Sequence, residues 1–406
     1  MTTTHEIEVP ALSSAPRRAT FIPDPDTALA VVGGRRQLRG FSRDEVLNVA
    51  GAFVSALATT LLLFGRVAPM SGSFGFVVVA YVLFLAIYAL LVSMSESRVV
   101  VVDRVMAVLL LTAAAVAVLA LGSVIIYVFV RAWTALVHVN FYTHDLSSTL
   151  PTANLKSGGI LHAIVGSLII TSIALAVSLP LGITCAVFLT ETRSRFRRPV
   201  RTIVDAMTAL PSILAGLFIF STWILIFGFE RSGLAAGFAV SIMMLPIIIR
   251  ASDVVLRLVP GNLREASAAL GAPVWRTVWH VVLPTARSGL TTAVILGVAR
   301  GVGETAPVLL TSGYTASMNF NPVKNPMVSL PFAAYDLVRQ PQQTLIARGF
   351  ATAATLMVLV LALFFTARAV GGRPAGQLSD RQRRSLAKQS RNDLARFENK
   401  TKVNSL

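Results

Sequence analysis

The chain has 406 residues, of which 54% are hydrophobic and only 14% charged, and its mean hydropathy is +0.71. Soluble domains carry about 25% charged residues, so a water-soluble globular protein is excluded and an integral membrane protein is expected. The formal net charge of +17 and the single cysteine, Cys185, exclude more. Basic residues cluster in "TRSRFRRPVRT" (192–202), with five arginines, and in the last 35 residues, with nine Lys/Arg, neither with the interleaved aromatics or fold motif of a nucleic-acid module. One cysteine allows no intrachain disulfide and no zinc cluster, and a small apolar filler is its expected role.

Residues 1–45 are polar and proline-containing, and they lack the early apolar core of a signal peptide. A disordered cytoplasmic arm is expected there. A bilayer-spanning helix needs about 20 mostly apolar residues, and eight segments qualify: near 46–65, 74–94, 105–130, 160–189, 206–228, 234–250, 289–312 and 348–370. The runs are continuous, without period-two alternation, so helices are expected and not a barrel. Alternation from a cytoplasmic N-terminus puts 95–104, 190–205, 251–288 and the tail 372–406 inside. Loops 131–159 and 313–347 then fall outside. Lys and Arg concentrate on the inner side, as the positive-inside rule requires. Trp133, Tyr142, Tyr314 and Phe320 in the outer loops suit an interfacial belt, and the isolated His138 and His144 suggest no metal site.

The inside loop "VPGNLREASAALGAPVWRTVWHVVLPTARSG" is too polar to cross a bilayer and too apolar for a linker. Asn262 with Glu265 three residues on reads as a capped helix start. Gly271 suits the end of that helix, and Pro273 suits the first turn of a second. The second helix carries Trp275 and Trp279 one turn apart and is expected to close at Leu283-Pro284. A helix–Gly–helix elbow over 261–287 follows. Its pattern, Glu265-Ala266, then Gly271, then Val281-x-Leu283-Pro284, resembles the EAA loop of bacterial ABC importer permeases, with Ser267 and Val281 as mild departures. The resemblance implies that the elbow docks on a cytoplasmic ATPase subunit. The chain has no G-x-x-x-x-G-K-[ST] phosphate-cradling loop, so it is expected to be no enzyme and to need its ATPase from another chain.

Two charge clusters lie in or beside apolar runs. Arg300 and Glu304 are four apart in "GVARGVGETAPVLL", where either charge costs roughly 2.5–3.5 kcal/mol at a membrane centre. They can pair along a helix, and glycines 297, 301 and 303 beside them admit a close neighbour. The second cluster, Arg250, Asp253 and Arg257, ends the sixth span. Both stretches, "ILGVARGVGETAPVLLTSG" and "LPIIIRASDVVLRLVPGNLREASAALGA", resemble the PstA-type permeases of phosphate ABC importers. The likeness runs from about 105 to 370. Within it, Arg300 matches the arginine of the family's "ARxxGET", Arg250 matches that of "IIIR", and Asp253 replaces a glutamate.

That resemblance implies an all-α integral membrane protein with a six-helix importer core (105–371) and two extra N-terminal membrane helices (46–104). It implies a multi-pass subunit of the bacterial inner membrane, with both termini cytoplasmic. The implied substrate path is Arg300 and Arg250, held by Glu304 and Asp253. The implied coupling residues are Glu265, Ala266, Gly271, Leu283 and Pro284. No metal or cofactor belongs to the chain itself; ATP and Mg would be bound by partners. The implied partners are a PstC-type second permease, two ATPase subunits, an extracytoplasmic phosphate-binding protein, phosphate and membrane lipid, with no nucleic acid. Sulfate or molybdate importers, and secondary anion transporters, are the competing readings.

Overall fold

A computed structural model describes residues 43–67, 72–371, 384–390 and 393. The expected N-terminal arm and basic tail lie almost wholly outside these residues. The described chain is helical throughout, with loops and no strand. The chain divides into two compact units, one up to Leu119 and one from Ala120.

The first unit contains α1 (Arg43–Leu62), α2 (Ser73–Ser93) and the first half of α3 (Arg98–Leu136). Ala52, Tyr88 and Val92 are its buried centre, with Phe84, Val101 and Val105 packed around them. Tyr81 and Thr112 share a hydroxyl–hydroxyl hydrogen bond. These helices have apolar residues on all faces, as lipid-exposed spans do.

The second unit is built on α4 (Leu161–Glu191), α5 (Arg197–Ala209), α6 (Ser212–Ile219) and α7 (Gly233–Arg257). Then follow α8 (Gly261–Ala269), α9 (Val274–Thr277), α10 (Leu283–Val302), α11 (Ala306–Thr311), α12 (Leu330–Val338) and α13 (Gln343–Gly371). The centre is α7, whose hydropathy and burial are both high. Its N-terminus is capped by Ser232, which accepts from the Ala235 N–H at 3.4 Å. Small residues let α10 press onto it: a Cβ on Gly297 would lie 2.5 Å from Ile248 Cγ1, and one on Gly301 would lie 2.5 Å from Met244 Sδ. The close neighbour expected at 297 and 301 is therefore α7.

Among the described residues, seven helices are long and apolar enough to cross a membrane. An eighth crossing is possible only if α5 and the segment Ser212–Ile226 form one span, and these meet at 105°. The straight span expected at 206–228 is thus broken. Pro211 causes the break, because it drives the residue before it out of the helical region. Leu210 sits at φ −68°, ψ 130° and Pro211 at φ −59°, ψ 138°, two extended residues in a row.

The outer loops are tied down by buried polar groups. Arg348 is fully buried, and its Nη2 donates to the carbonyls of Asn154 (2.9 Å) and Ser157 (2.5 Å). Asn140 Nδ2 donates to the carbonyls of Leu155 and Gly158 in the same turn. Asp145 accepts from the backbone N–H groups of Ser147 and Met318, joining the loop after α3 to the loop after α11. Ser167 accepts the Leu330 N–H at 2.6 Å, fixing the start of α12 against α4.

Candidate translocation and coupling sites

The seventh expected span, 289–312, does not run straight through. α10 stops at Val302, and α11 starts at Ala306. Pro307 explains the stop: it has no N–H for the Gly303 carbonyl, and its ring would collide there. Pro307 also lies against Gly216, where an added Cβ would come within 2.6 Å of its Cα. The break is therefore clamped from α6.

Glu304 lies in this break and is buried, while Arg300, one turn earlier, is open. Arg300 Nε lies 3.0 Å from Glu304 Oε1, with side-chain exposures of 56% and 8%. The alignment is not that of a hydrogen bond, and Oε1 has no other partner. A buried carboxylate thus fixes one edge of a half-exposed guanidinium. The terminal nitrogens, the part of arginine that engages oxyanions in a fork, have no other partner among the described residues.

The inner cluster is wired differently from the expected Arg250–Asp253 pairing. Arg250 Nη2 donates to Asp205 Oδ1 on α5 at 2.7 Å, both side chains being about half exposed. Asp253 instead accepts from Arg257 Nε (3.1 Å), from Arg201 Nη2 (3.3 Å) and from Thr190 Oγ1 (3.1 Å). Arg250 and Arg300 also fall on different sides of α7. α10 packs on the Met244/Ile248 side, whereas Arg250, two residues past Ile248, points about 200° away. The two clusters are not one site within this chain.

The elbow has the expected helix–Gly–helix plan. α8 ends in a paired motif: the Ala272 N–H donates to the Ser267 carbonyl at 3.2 Å, and the Gly271 N–H donates to that of Ala268 at 2.9 Å. Gly271 has φ +75°, the left-handed conformation that this ending needs. Ser267 contributes directly, since its hydroxyl meets Thr277 Oγ1 at 2.8 Å across the elbow. Two local expectations are corrected. Asn262 does not cap α8: the helix starts at Gly261, Pro260 stands at the cap, and no side-chain cap bond forms. Leu283-Pro284 does not close the second helix either. The chain passes from α9 through a π-helical stretch, Val278–Val282, into α10. The wider π turn re-registers the backbone just before Pro284, so Val274–Val302 is one continuous span-length rod.

Arg264 and Glu191 were missed by sequence reasoning. Arg264 Nη2 donates to Glu191 Oε1 (2.8 Å) and to the Leu256 carbonyl (2.9 Å), and its Nη1 donates to the Val259 carbonyl (2.7 Å). One guanidinium thereby binds a last-turn carbonyl of α7, a carbonyl of the turn that follows, and the carboxylate that ends α4. The two residues are 73 positions apart, so no local pattern links them. The elbow's Glu265, Ala266 and Leu270 stay solvent-facing or only partly covered, as do Trp275 and Trp279 on its second arm.

An apolar recess of about 790 Å³ opens between α4, α10 and α13, with Arg287 the one charged residue on its wall. It is the wrong chemistry for an oxyanion. Among the described residues there is no group of His, Cys, Asp or Glu that could hold a metal ion.

Residues 178–371 match the family model of the binding-protein-dependent transport system inner membrane component. Phosphate transport system permease protein PstA 1 of Mycobacterium tuberculosis is 40% identical over 234 residues, 57% of this chain and 76% of that protein. The PstA protein of Pasteurella multocida is 36% identical over 213 residues, 52% and 75% of the two chains. A solved bacterial ABC transporter involved in alginate import overlaps 66% of this chain and 95% of its own, at 17% identity and a TM-score of 0.43. With more than two thirds of the PstA proteins covered at such identity, the chain belongs to the family of PstA phosphate transport system permeases.

Proposed function

We propose that the chain is one of two membrane subunits of an ATP-driven importer of inorganic phosphate. Its relatives carry that transport in their names, and it is itself a multi-pass inner-membrane transport subunit without a catalytic site. The partners in this reading are a second, PstC-type permease, two ATPase subunits that bind ATP and Mg, and an extracytoplasmic phosphate-binding protein. The binding protein would dock on the loops 131–159 and 313–347. The importer core in this reading is the six-helix portion within 105–371, with the helices of 46–104 as scaffold.

The observation that carries the proposal is the Arg300–Glu304 pair at the break after α10. A tetrahedral oxyanion calls for charge-assisted donors, and the open edge of Arg300 supplies them. Glu304 moderates that charge, so the anion can leave as readily as it enters. Arg250 is proposed as a second, inner contact, with Asp205 as its acid, while Asp253 orders Arg201 and Arg257 around it. Glu265, Ala266 and Gly271 shape the ATPase-docking elbow, and Leu283 and Pro284 carry its motion into α10.

The test is phosphate uptake into liposomes holding the complete complex, comparing the native protein with Arg300→Gln. Expected are uptake that needs ATP and resists excess sulfate, and a fall of about 10-fold or more in the assembled variant, the loss of a hydrogen bond to a charged group worth about 1.5–3 kcal/mol. Normal uptake by the variant would remove Arg300 from the path. Uptake competed by sulfate would make the substrate a different oxyanion, and uptake driven by an ion gradient without ATP would make the protein a secondary transporter.

A further inference from the structure

The helix α5 reaches the proposed inner contact through Arg201 and Asp205, yet its remaining side chains have no part in the phosphate path or in the elbow and are sorted with care. Its inward side is tied to the core: Val204 is buried beside Leu189 and Ile249, and Arg201 reaches Asp253 on α7. A second side is apolar and open. Phe196, Ile203 and Leu210 are all exposed and stand seven residues apart, so they form one stripe along the helix. The third feature is charge. Arg193, Arg195, Arg197 and Arg198 are exposed at its leading end, with no ion pair among the described residues. The nearest acids are already engaged, Glu191 by Arg264 and Asp205 by Arg250.

The orientation of α5 gives this pattern its meaning. The segment Ser212–Ile226 is the apolar half of a bent pair of span-like length and composition; taken as the half that enters the membrane, it is met by α5 at 105°. A helix at that angle to a span lies close to the membrane plane. It does so at the end of the bundle that carries the elbow, because Arg201 joins the last turns of α7, and Arg264 of the elbow joins the end of α4. A helix in the plane of the interface, with an apolar stripe on one side and a cluster of arginines at headgroup level, fits an anionic bilayer surface.

We propose that α5 and the arginines before it form a binding surface for anionic phospholipid headgroups of the leaflet on the elbow side. Phe196, Ile203 and Leu210 enter the acyl boundary, and Arg193, Arg195, Arg197 and Arg198 hold the headgroup phosphates above them. Charge complementarity selects this occupant over a neutral lipid. The bond from Arg201 to Asp253, at the inner end of α7, makes the bound surface continuous with the transporter's core.

The test uses the full chain with Cys185→Ala and Thr202→Cys, the new thiol carrying a fluorophore at the polar edge of α5. The labelled protein is placed, alone and in the complete complex, in vesicles of phosphatidylcholine with about one quarter phosphatidylglycerol. One series of vesicles carries a headgroup quencher on phosphatidylglycerol and a second carries it on phosphatidylcholine. The expected result is stronger quenching by the anionic lipid, by about twofold or more, as arginines near an anionic surface should give. The preference should vanish when Arg193, Arg195, Arg197 and Arg198 are all changed to Gln, and it should weaken in high salt.

Several results would overturn the proposal. Quenching by aqueous iodide but by neither lipid would place α5 in solvent. Loss of lipid quenching on assembly of the complex would make the face a contact with another subunit. Loss of the preference in millimolar inorganic phosphate would make the arginines a site for the free ion. A preference unchanged in the four-Gln variant would assign it to other basic segments. No transport is measured, so failure here leaves the phosphate reading untouched.

Discussion

Arg264 shows how much one side chain can organise. It is the bridge between the elbow and two helix ends, and Glu191 beside it is nearly buried. Removing the arginine leaves a carboxylate without its partner, takes the side-chain donor from the Val259 carbonyl and leaves that of Leu256 with the Val259 N–H, which costs about 2–4 kcal/mol. Arg264→Ala is therefore expected to lower the melting temperature of the purified protein and to uncouple ATP hydrolysis from uptake. Glu191→Gln, which keeps one acceptor, should cost less. Asp145 gives a residue-scale pH effect. Burial by itself would raise its pKa, but hydrogen bonds from Ser147 and from the Met318 N–H outweigh this, and the net shift is downward. A carboxylate with a depressed folded-state pKa stabilises above its unfolded value, near 3.9, and that contribution is lost as pH falls through the lower folded-state value. Asp145→Asn should abolish this acid dependence. Hydrogen exchange at the Met318 amide, compared at neutral pH and below pH 4, checks it.

At the scale of elements, prolines and glycines decide where helices bend and end. Pro211→Ala should let the chain continue helically from α5 toward Ser212 and open the 105° angle, which would show as a longer distance between spin labels at the two far ends. Gly271→Ala forces an L-residue to φ +75° with open space around it, so backbone strain of about 1–2 kcal/mol is the whole cost. The elbow should weaken, read as slower ATP-driven uptake, while the membrane core melts as before. These same elements show what could be read from sequence. The apolar runs revealed the spans, because length and composition alone define a bilayer helix, and Gly271 revealed the elbow, because its conformation excludes other residues. Pro211 and Pro307 were visible too, but hydropathy windows average across a proline and return one span where the chain makes two segments. The partners of Arg250, Asp253 and Arg264 were beyond local reasoning. Each is joined to a residue 45 to 73 positions away, and only the packing of α4 and α5 on α7 brings them together.

For the whole molecule, the two units carry different burdens. Among the described residues of the first unit, Arg104 pairs with Glu96 by the turn between α2 and α3, away from the middle of its apolar spans. A chain cut after that turn should therefore retain ATP-driven phosphate uptake if 46–104 is scaffold, and loss of uptake with intact assembly would give those helices a direct part in transport. The second unit holds every charge proposed for transport or coupling.

The continuity of the rod from Val274 to Val302 has a mechanical consequence. Trp275, on the second arm of the elbow, and Arg300, beside the break, ride the same stiff element about 38 Å apart at 1.5 Å per residue. A seesaw of about 10° around its middle would carry each end some 3 Å, about the length of one hydrogen bond. Gly297 and Gly301 are seated on Ile248 and Met244, so such a stroke would slide the Arg300 end of the rod along α7; with Arg300 as the proposed anion contact, a modest movement at the elbow end would be enough to draw its guanidinium off the anion. Release would then need no further rearrangement at the site itself.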